Sequence, residues 1–206
     1  MRRVIHGVHL CWGTYGFWLP NDPRGSGSQV RADHLRPFGD ATFVPDRKQS
    51  RARTGHDRAA RLAAKDALVR PPVTLDGHQA KCAALAFGVL LAELDIACWA
   101  CAVLPDHVHL MVGPSGIDSR KLCQRLKGRA TRALVDAGRH PFQADLDADG
   151  QVPKCWQRRE WTVFKYDAGN VRRTIKYVAD NPLKEGKPFQ TWGFVVPDPA
   201  DSGDDD

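Results

Sequence analysis

Two histidines, His107 and His109, stand two residues apart in an otherwise apolar segment of the chain. Side chains of a β-strand alternate between its two faces, so both imidazoles point to one side with Met111, while Val108 points to the other. Two imidazoles on one face can bind the same metal ion. The spacing therefore predicts a pair of metal ligands, with two half-buried structural histidines as the alternative.

Tyr177 and Asn181 lie four residues apart in a segment of helical character, so their side chains project from one helix face. A tyrosine hydroxyl can attack a phosphodiester when a metal ion polarises the phosphate. The alternative is a packing tyrosine followed by an asparagine that caps the helix. Tyr166 also has an asparagine four residues later, but residues 167–169 resemble a turn, so those two side chains need not share a face.

The elements that must position these side chains follow from hydrophobic periodicity and turn signals. Asp76 and Gln79 predict a capping box, Ser119 predicts an N-cap, and Pro182 predicts the end of the last helix. Their order predicts the α+β class, a sandwich of one central antiparallel sheet with helices on one face. The predicted strands are 4–12, 96–104, 107–113 and 161–164, and the predicted helices are 56–69, 76–94, 119–137 and 171–180.

Two other pairs of side chains have spacings that argue against a shared metal ion. His6 and His9 lie three residues apart in the first predicted strand, so they point to opposite faces and cannot both reach one ion. Cys98 and Cys101 have the Cys-x-x-Cys spacing of zinc and redox sites, yet inside a strand they also point to opposite faces. We interpret both cysteines as core residues.

The charge of the chain favours a polyanionic partner. The 206 residues carry a formal net charge of +6, and the last ten contain five aspartates and no basic residue, which leaves +11 for the rest. Such a basic body favours nucleic acid. Basic side chains on the third and last predicted helices are candidates for DNA binding, with a solvated face as the alternative: Lys121, Arg125, Lys127, Arg129, Arg132 and Arg173. The candidates for stacking on unpaired bases are Trp12, Trp18, Trp156 and Trp161.

Composition disfavours several other classes of protein. The most apolar stretch, 82–105, carries Glu93 and Asp95 at its middle, which argues against a membrane span. The first residues do not resemble a signal peptide, and the six scattered cysteines predict reduced thiols in a cytoplasmic protein. We expect one catalytic domain at 1–196 with a basic insert at about 21–73, and an acidic disordered tail at 197–206.

Four segments of the chain resemble the HUH single-tyrosine transposases in order and spacing. They are residues 104–110 with the His-x-His pair, 125–129, 155–157 and 177–182. The opening segment 9–18 is similar to the first strand of that family, particularly in the branch of REP-associated tyrosine transposases. The resemblance covers roughly residues 4–20 and 74–186.

The resemblance implies a ferredoxin-like fold and a metal-dependent single-stranded DNA endonuclease and strand transferase that acts on hairpin-containing DNA. By this resemblance, His107, His109 and Asn181 would bind Mg²⁺ or Mn²⁺, where many relatives have glutamine in the third position. Tyr177 would be the nucleophile that keeps the 5′ phosphate as a phosphotyrosine and releases a 3′ hydroxyl. A location in the bacterial cytoplasm, in association with the nucleoid, is also implied.

The sequence leaves three alternatives open. One is a domesticated, non-catalytic protein of the same fold that only binds a DNA hairpin. Another is a metal-dependent hydrolase or storage protein that uses the histidine pair alone. Some relatives place the tyrosine of one subunit against the histidines of the other, so a monomer and a homodimer are both compatible with the sequence.

Overall fold

The fold is described from a computed structural model, over residues 3–17, 19, 33–39 and 57–197. Its strands are β1 (Gly7–Gly13), β2 (Cys98–Val103), β3 (His107–Val112) and β4 (Trp161–Lys165). Its α-helices are α1 (Arg58–Asp66), α2 (Gly77–Glu93), α3 (Ser119–Asp136), α4 (Ala168–Ala179) and α5 (Asn181–Lys184), and a 3-10 helix spans Asp33–Phe38. All four strands pair antiparallel in the order β2-β3-β1-β4.

The order of the elements defines a ferredoxin-like arrangement. The chain runs β1-α2-β2-β3-α3-β4, and β1 and β3 are the two central strands of the sheet. This is the βαββαβ pattern in which each helix connects strands that are not neighbours in the sheet. The predicted α+β class and the central antiparallel sheet are both confirmed.

The sheet has an apolar core on each face. On one face, Leu10, Val108 and Leu110 pack beneath α2 and α3. On the other face, Met111 packs against Val178 and its apolar neighbours on α4, which lies over β2 and β3. The prediction that the helices lie on one face holds for α2 and α3, whereas α4 packs on the opposite face against Trp99, Ala102 and Met111.

Aspartate side chains cap the N-termini of α2 and α3, the two helices that share one face of the sheet. The predicted capping box is present: the Asp76 carboxylate accepts from the Gln79 backbone at 2.7 Å, and the Gln79 side chain accepts from the Asp76 backbone at 3.0 Å. In α3 the cap is Asp118 rather than the predicted Ser119, because the Asp118 carboxylate accepts from the backbone N–H of Lys121 at 3.1 Å. A carboxylate one residue earlier therefore satisfies the first turn.

The last long helix begins earlier than its apolar pattern predicts. Asp167 accepts from the backbone N–H of Asn170 at 2.7 Å, so α4 starts at Ala168 and the turn predicted for 167–169 is wrong. Tyr166 still lies before the cap, outside the helix. The helical spacing between Tyr166 and Asn170 therefore does not apply.

The two cysteines of the Cys-x-x-Cys segment share one face, contrary to the sequence prediction. The register of β2 against β3 shifts between Cys98 and Ala100, as in a β-bulge. The extra residue places both Cys98 and Cys101 in the core beneath α2. Burial raises the pKa of the Cys98 thiol to about 12, which fits a core residue rather than a redox site.

Two predicted segments are only partly described. Of the basic insert at 21–73, residues 33–39 and 57–73 are described and include α1. The rest of the insert, Trp18 and the predicted tail beyond Pro197 lie outside the described residues. Within the described ranges, none of the helices combines the length and apolar character needed to cross a membrane.

Candidate active site

The strand β3 presents its two histidines on the face that α4 partly covers. His109 is buried and His107 is half-buried, and their ring centroids lie 4.9 Å apart. Met111 lies on the same face, whereas Val108 packs beneath the helices of the opposite face. The alternation of the strand therefore places both imidazoles side by side.

Tyr177, near the end of α4, lies against His109 of this pair. Its ring meets the His109 ring edge-on, with centroids 5.6 Å apart. The ammonium group of Lys184 lies 4.7 Å from the centre of the Tyr177 ring. Among the residues that the structure describes, the Tyr177 hydroxyl has no hydrogen-bond partner.

Asn181 lies one turn beyond Tyr177, at the first position of α5. The helix α4 ends at Ala179, Asp180 keeps near-helical dihedral angles, and α5 begins at Asn181. Asn181 is only 6% exposed, and among the described residues its Nδ2 atom has no hydrogen-bond partner. A buried amide in this condition is costly unless a further group satisfies it.

A third histidine, His9 on β1, completes this cluster and was not predicted as part of it. Its Nε2 atom lies 3.0 Å from Nδ1 of His109, and the two rings are stacked. Its ring also meets Tyr177 edge-on at 6.0 Å. The sequence excluded only a joint site with His6, and the pairing of β1 with β3 brings His9 alone to the site.

Two carboxylates next to His107 were also missed from the sequence. Asp106 Oδ1 lies 2.6 Å from Nδ1 of His107, and Glu185 Oε1 lies 3.8 Å from its Nε2. Ligand atoms of Asp106, His107 and Glu185 all lie within 4.8 Å of one another. The signal in the sequence was weak, because Asp106 belongs to a turn and Glu185 follows α5.

This donor set fits a small divalent cation. Carboxylate and amide oxygens suit Mg²⁺ or Mn²⁺, and imidazole nitrogens suit transition-metal ions such as Zn²⁺. A hydrogen bond between Asp106 and Nδ1 fixes the ring of His107 and leaves its Nε2 atom for an ion. His9 can likewise fix the ring of His109, whose Nε2 atom lies 4.0 Å from the sulfur of Cys11.

The basic side chains of α3 lie on the other side of the sheet from Tyr177. Lys127 is 8% exposed, and its ammonium group donates to the Gln157 carbonyl at 3.1 Å and to Glu160 at 3.3 Å. Arg129 forms a bidentate pair with Glu93. The three other DNA-binding candidates on α3 are exposed: Lys121, Arg125 and Arg132.

The predicted base-stacking tryptophans differ in their accessibility. Trp12 and Trp156 are buried in the core beneath α2 and α3, so neither can stack on a base. Trp161 is half-buried on β4. Arg173, the remaining DNA-binding candidate, is exposed on α4 one turn before Tyr177.

Comparisons with known proteins add similarities of fold. No family model and no curated protein matches this chain. Among solved structures, the chain is similar to a REP-associated tyrosine transposase bound to a REP hairpin, at 15% identity and a TM-score of 0.46, over 90% of this chain and 72% of that one. It is also similar to a candidate transposase from Deinococcus radiodurans R1, at 13% identity and a TM-score of 0.36, over 86% of this chain and 90% of that one.

Proposed function

We propose that the protein is a metal-dependent single-stranded DNA endonuclease and strand transferase that acts on hairpin-containing DNA. The observation that carries the proposal is the position of Tyr177 against His109 and His9, with ring centroids 5.6 and 6.0 Å apart. These three side chains come from α4, β3 and β1, which are distant in the sequence. The resemblance of segments 104–110 and 177–182 to the HUH single-tyrosine transposases supports the same chemistry.

In the proposed reaction, the hydroxyl oxygen of Tyr177 attacks the scissile phosphorus. The new bond joins this oxygen to the phosphorus, and the bond to the 3′ oxygen of the preceding nucleotide breaks. The 5′ phosphate stays on Tyr177, and the released 3′ oxygen takes up a proton to become a hydroxyl. Because one phosphodiester replaces another, a 3′ hydroxyl can later reverse the step on a second junction without an external energy source.

The proposed metal ligands are His107, His109 and Asn181, and Glu185 supplies the negative charge that this neutral set lacks. A bound Mg²⁺ or Mn²⁺ ion would polarise the scissile phosphate and stabilise the charge of the transition state. Asp106 holds the ring of His107 through its Nδ1 atom, 2.6 Å away. These residues hold and orient ligands, while Tyr177 makes the covalent bond.

Lys184 is placed to assist the nucleophile. Its ammonium group lies 4.7 Å from the centre of the Tyr177 ring, a distance typical of a cation–π contact. Lys184 can therefore stabilise the charge that develops on Tyr177 as its proton leaves.

The test is the formation of a covalent protein–DNA adduct. The protein is incubated with labelled single-stranded DNA hairpins that have random flanking sequences, with Mn²⁺ or with EDTA. We expect a denaturation-resistant labelled band with Mn²⁺ only, and loss of this band in His107→Ala while hairpin binding persists. Hairpin binding without an adduct from any member of the pool would favour the non-catalytic binding protein and contradict the proposal.

A further inference from the structure

One corner of the sheet combines basic and aromatic side chains outside the site described above. The backbone N–H of His6 donates to the carbonyl of Lys165 at 2.7 Å, which extends the pairing of β1 and β4 beyond their ends. Tyr166 follows, and Asp167 then caps α4. The start of the chain, the end of β4 and the first turn of α4 therefore meet at this sheet corner.

Tyr166 presents its ring at the sheet corner. It is 43% exposed, and the guanidinium group of Arg3 lies 5.9 Å from the centre of its ring. Val4 and Ile5, between Arg3 and the start of β1, are exposed as well. An exposed aromatic ring beside an arginine is the arrangement on which unpaired bases stack.

Positive charge predominates at the sheet corner. Arg173 is held there because its guanidinium group donates to the side-chain oxygen of Asn170 at 2.9 Å. Lys165 pairs with Gly7 of β1, so it lies on the same face of the sheet as His9. The carboxylate of Asp167 is occupied by both the backbone and the side-chain N–H groups of Asn170.

The sheet corner is continuous with the nucleophile. Arg173 precedes Tyr177 by one turn of α4, a rise of about 6 Å, and the two side chains project from the same helix face. Arg173 therefore connects the sheet corner with the part of α4 that carries Tyr177. By contrast, the exposed lysine and arginines of α3 lie beyond the opposite face of the sheet.

We propose that the sheet corner binds the single-stranded DNA that flanks the cleavage site, with a base stacked on Tyr166 and phosphates bound by Arg3 and Arg173. This inference rests on the proposed function, because it takes the partner to be the DNA that Tyr177 cleaves. It gives the second tyrosine of this region a binding role. The hydroxyl of Tyr166 takes no part in that role, whereas its ring is essential.

The experiment compares two probes: a DNA hairpin with single-stranded flanks and the same hairpin with blunt ends. The affinity of the full chain for each probe is measured by fluorescence anisotropy. EDTA is present because it prevents cleavage. Tyr166→Ala should weaken binding of the flanked hairpin roughly 5- to 150-fold, the range for loss of one base–aromatic stack, and leave the blunt hairpin unaffected. Tyr166→Phe should bind both probes as the wild type does.

Two further variants test the charge and the specificity of the effect. Arg173→Gln should lower the slope of log affinity against log salt by about 0.7 for the flanked probe, the value for one lost phosphate contact. Phe189→Ala removes an exposed aromatic ring outside the sheet corner and should bind as the wild type does. Thermal unfolding of each variant shows whether it is folded.

The outcomes separate this inference from the proposed function. Unchanged binding of the flanked hairpin by folded Tyr166→Ala overturns the inference, and so does an equal loss of affinity for both probes. If Tyr166→Ala loses affinity for the flanked hairpin alone, the inference is supported. Absence of a covalent adduct from the wild type with Mn²⁺ would overturn only the proposed function.

Discussion

At the scale of residues, His109 contacts both of the other side chains on which the proposed chemistry rests, His9 and Tyr177. Its Nδ1 atom lies 3.0 Å from His9, and its ring lies against Tyr177. A hydrogen bond between Nδ1 of His109 and Nε2 of His9 fixes the tautomer and the orientation of the His109 ring, whose Nε2 atom lies 4.0 Å from the sulfur of Cys11. In the proposed metal site, His9 is then a positioning residue that acts through His109.

This role predicts the behaviour of His9→Ala. We expect its Mn²⁺ affinity, measured by electron paramagnetic resonance on the DNA-free protein, to fall about 10- to 100-fold, as for other residues that orient a metal ligand. Affinity for hairpin DNA in EDTA should not change. His78→Ala removes an exposed histidine of α2 and is the matched control. Equal Mn²⁺ affinities of His9→Ala and the wild type would contradict the role.

Glu185 gives a second prediction at this scale. Its carboxylate lies 3.8 Å from Nε2 of His107 and is the negative charge that the predicted ligands lack. We expect Glu185→Gln, which keeps the shape and removes the charge, to weaken Mn²⁺ binding about tenfold or more. Asp136→Asn, at an exposed position of α3, should have no effect. If calorimetric titration gives the same Mn²⁺ affinity for both variants, Glu185 is not a ligand.

Residue spacing indicated only part of this cluster. His107 and His109 share a face because strands alternate, and Tyr177 belongs to a recognisable helix, so both features are local. His9 and Glu185 approach the site through the order of the strands and the direction of α5, which no local spacing encodes. Only the structure therefore identifies the residues that tertiary pairing brings to the site.

At the scale of elements, α3 and α4 lie on opposite faces of the sheet and have different roles. The helix α4 brings Tyr177 to the histidines, and α3 packs on the other face with α2. The amphipathic pattern predicted that α3 exists but not which lysine points inwards. Lys127 lies within the basic pattern and is nevertheless held against Glu160, beneath the surface.

This difference within α3 predicts two distinct effects of substitution. Lys127→Met leaves Glu160 buried without its partner, so we expect the free energy of unfolding to fall by about 3 kcal/mol in urea denaturation. Replacing Lys121, Arg125 and Arg132 together by glutamine should leave stability unchanged. If those three contact DNA phosphates, the salt slope of single-strand binding falls by about 2. An unaltered slope would show that the exposed side of α3 is only solvated.

The ends of the elements show where sequence reasoning was incomplete. The capping box at Asp76 was predicted because both of its members are polar and correctly spaced. The cap of α3 and the start of α4 were predicted wrongly because the capping aspartates, Asp118 and Asp167, precede the apolar pattern. The bulge in β2 depends on pairing with β3, so it left no signal in the sequence of β2 alone.

At the scale of the whole molecule, the C-terminal part of the described chain covers one edge of the sheet, the outer edge of β2. Gln190 bonds to both the backbone N–H and the carbonyl of Val103, at 2.9 and 2.8 Å. Val195 forms a parallel bridge with Cys98. Residues 190–196 therefore occupy the outer side of β2, which protects this edge from pairing with another chain.

The reactivity of the six cysteines is a test of how the whole molecule packs, because their burial differs. All are free, and Cys82 alone is not buried. Burial raises the pKa of Cys123 to about 12 and of Cys155 to about 11, so at pH 8 these thiols are almost entirely protonated and unreactive. We expect brief alkylation of the native protein with iodoacetamide at pH 8 to modify Cys82 first, as read by peptide mass spectrometry. Rapid labelling of Cys123 or Cys155 would contradict the packing.

The central claim is that Tyr177 forms the covalent bond to DNA, and the most direct test is to identify the tyrosine in the adduct. The protein reacts with a hairpin-containing single strand and Mn²⁺, the adduct is digested with protease and nuclease, and mass spectrometry locates the remaining nucleotide. We expect the nucleotide on Tyr177, an adduct from Tyr166→Phe, and none from folded Tyr177→Phe. A nucleotide on Tyr166, or an undiminished adduct from Tyr177→Phe, would contradict the claim.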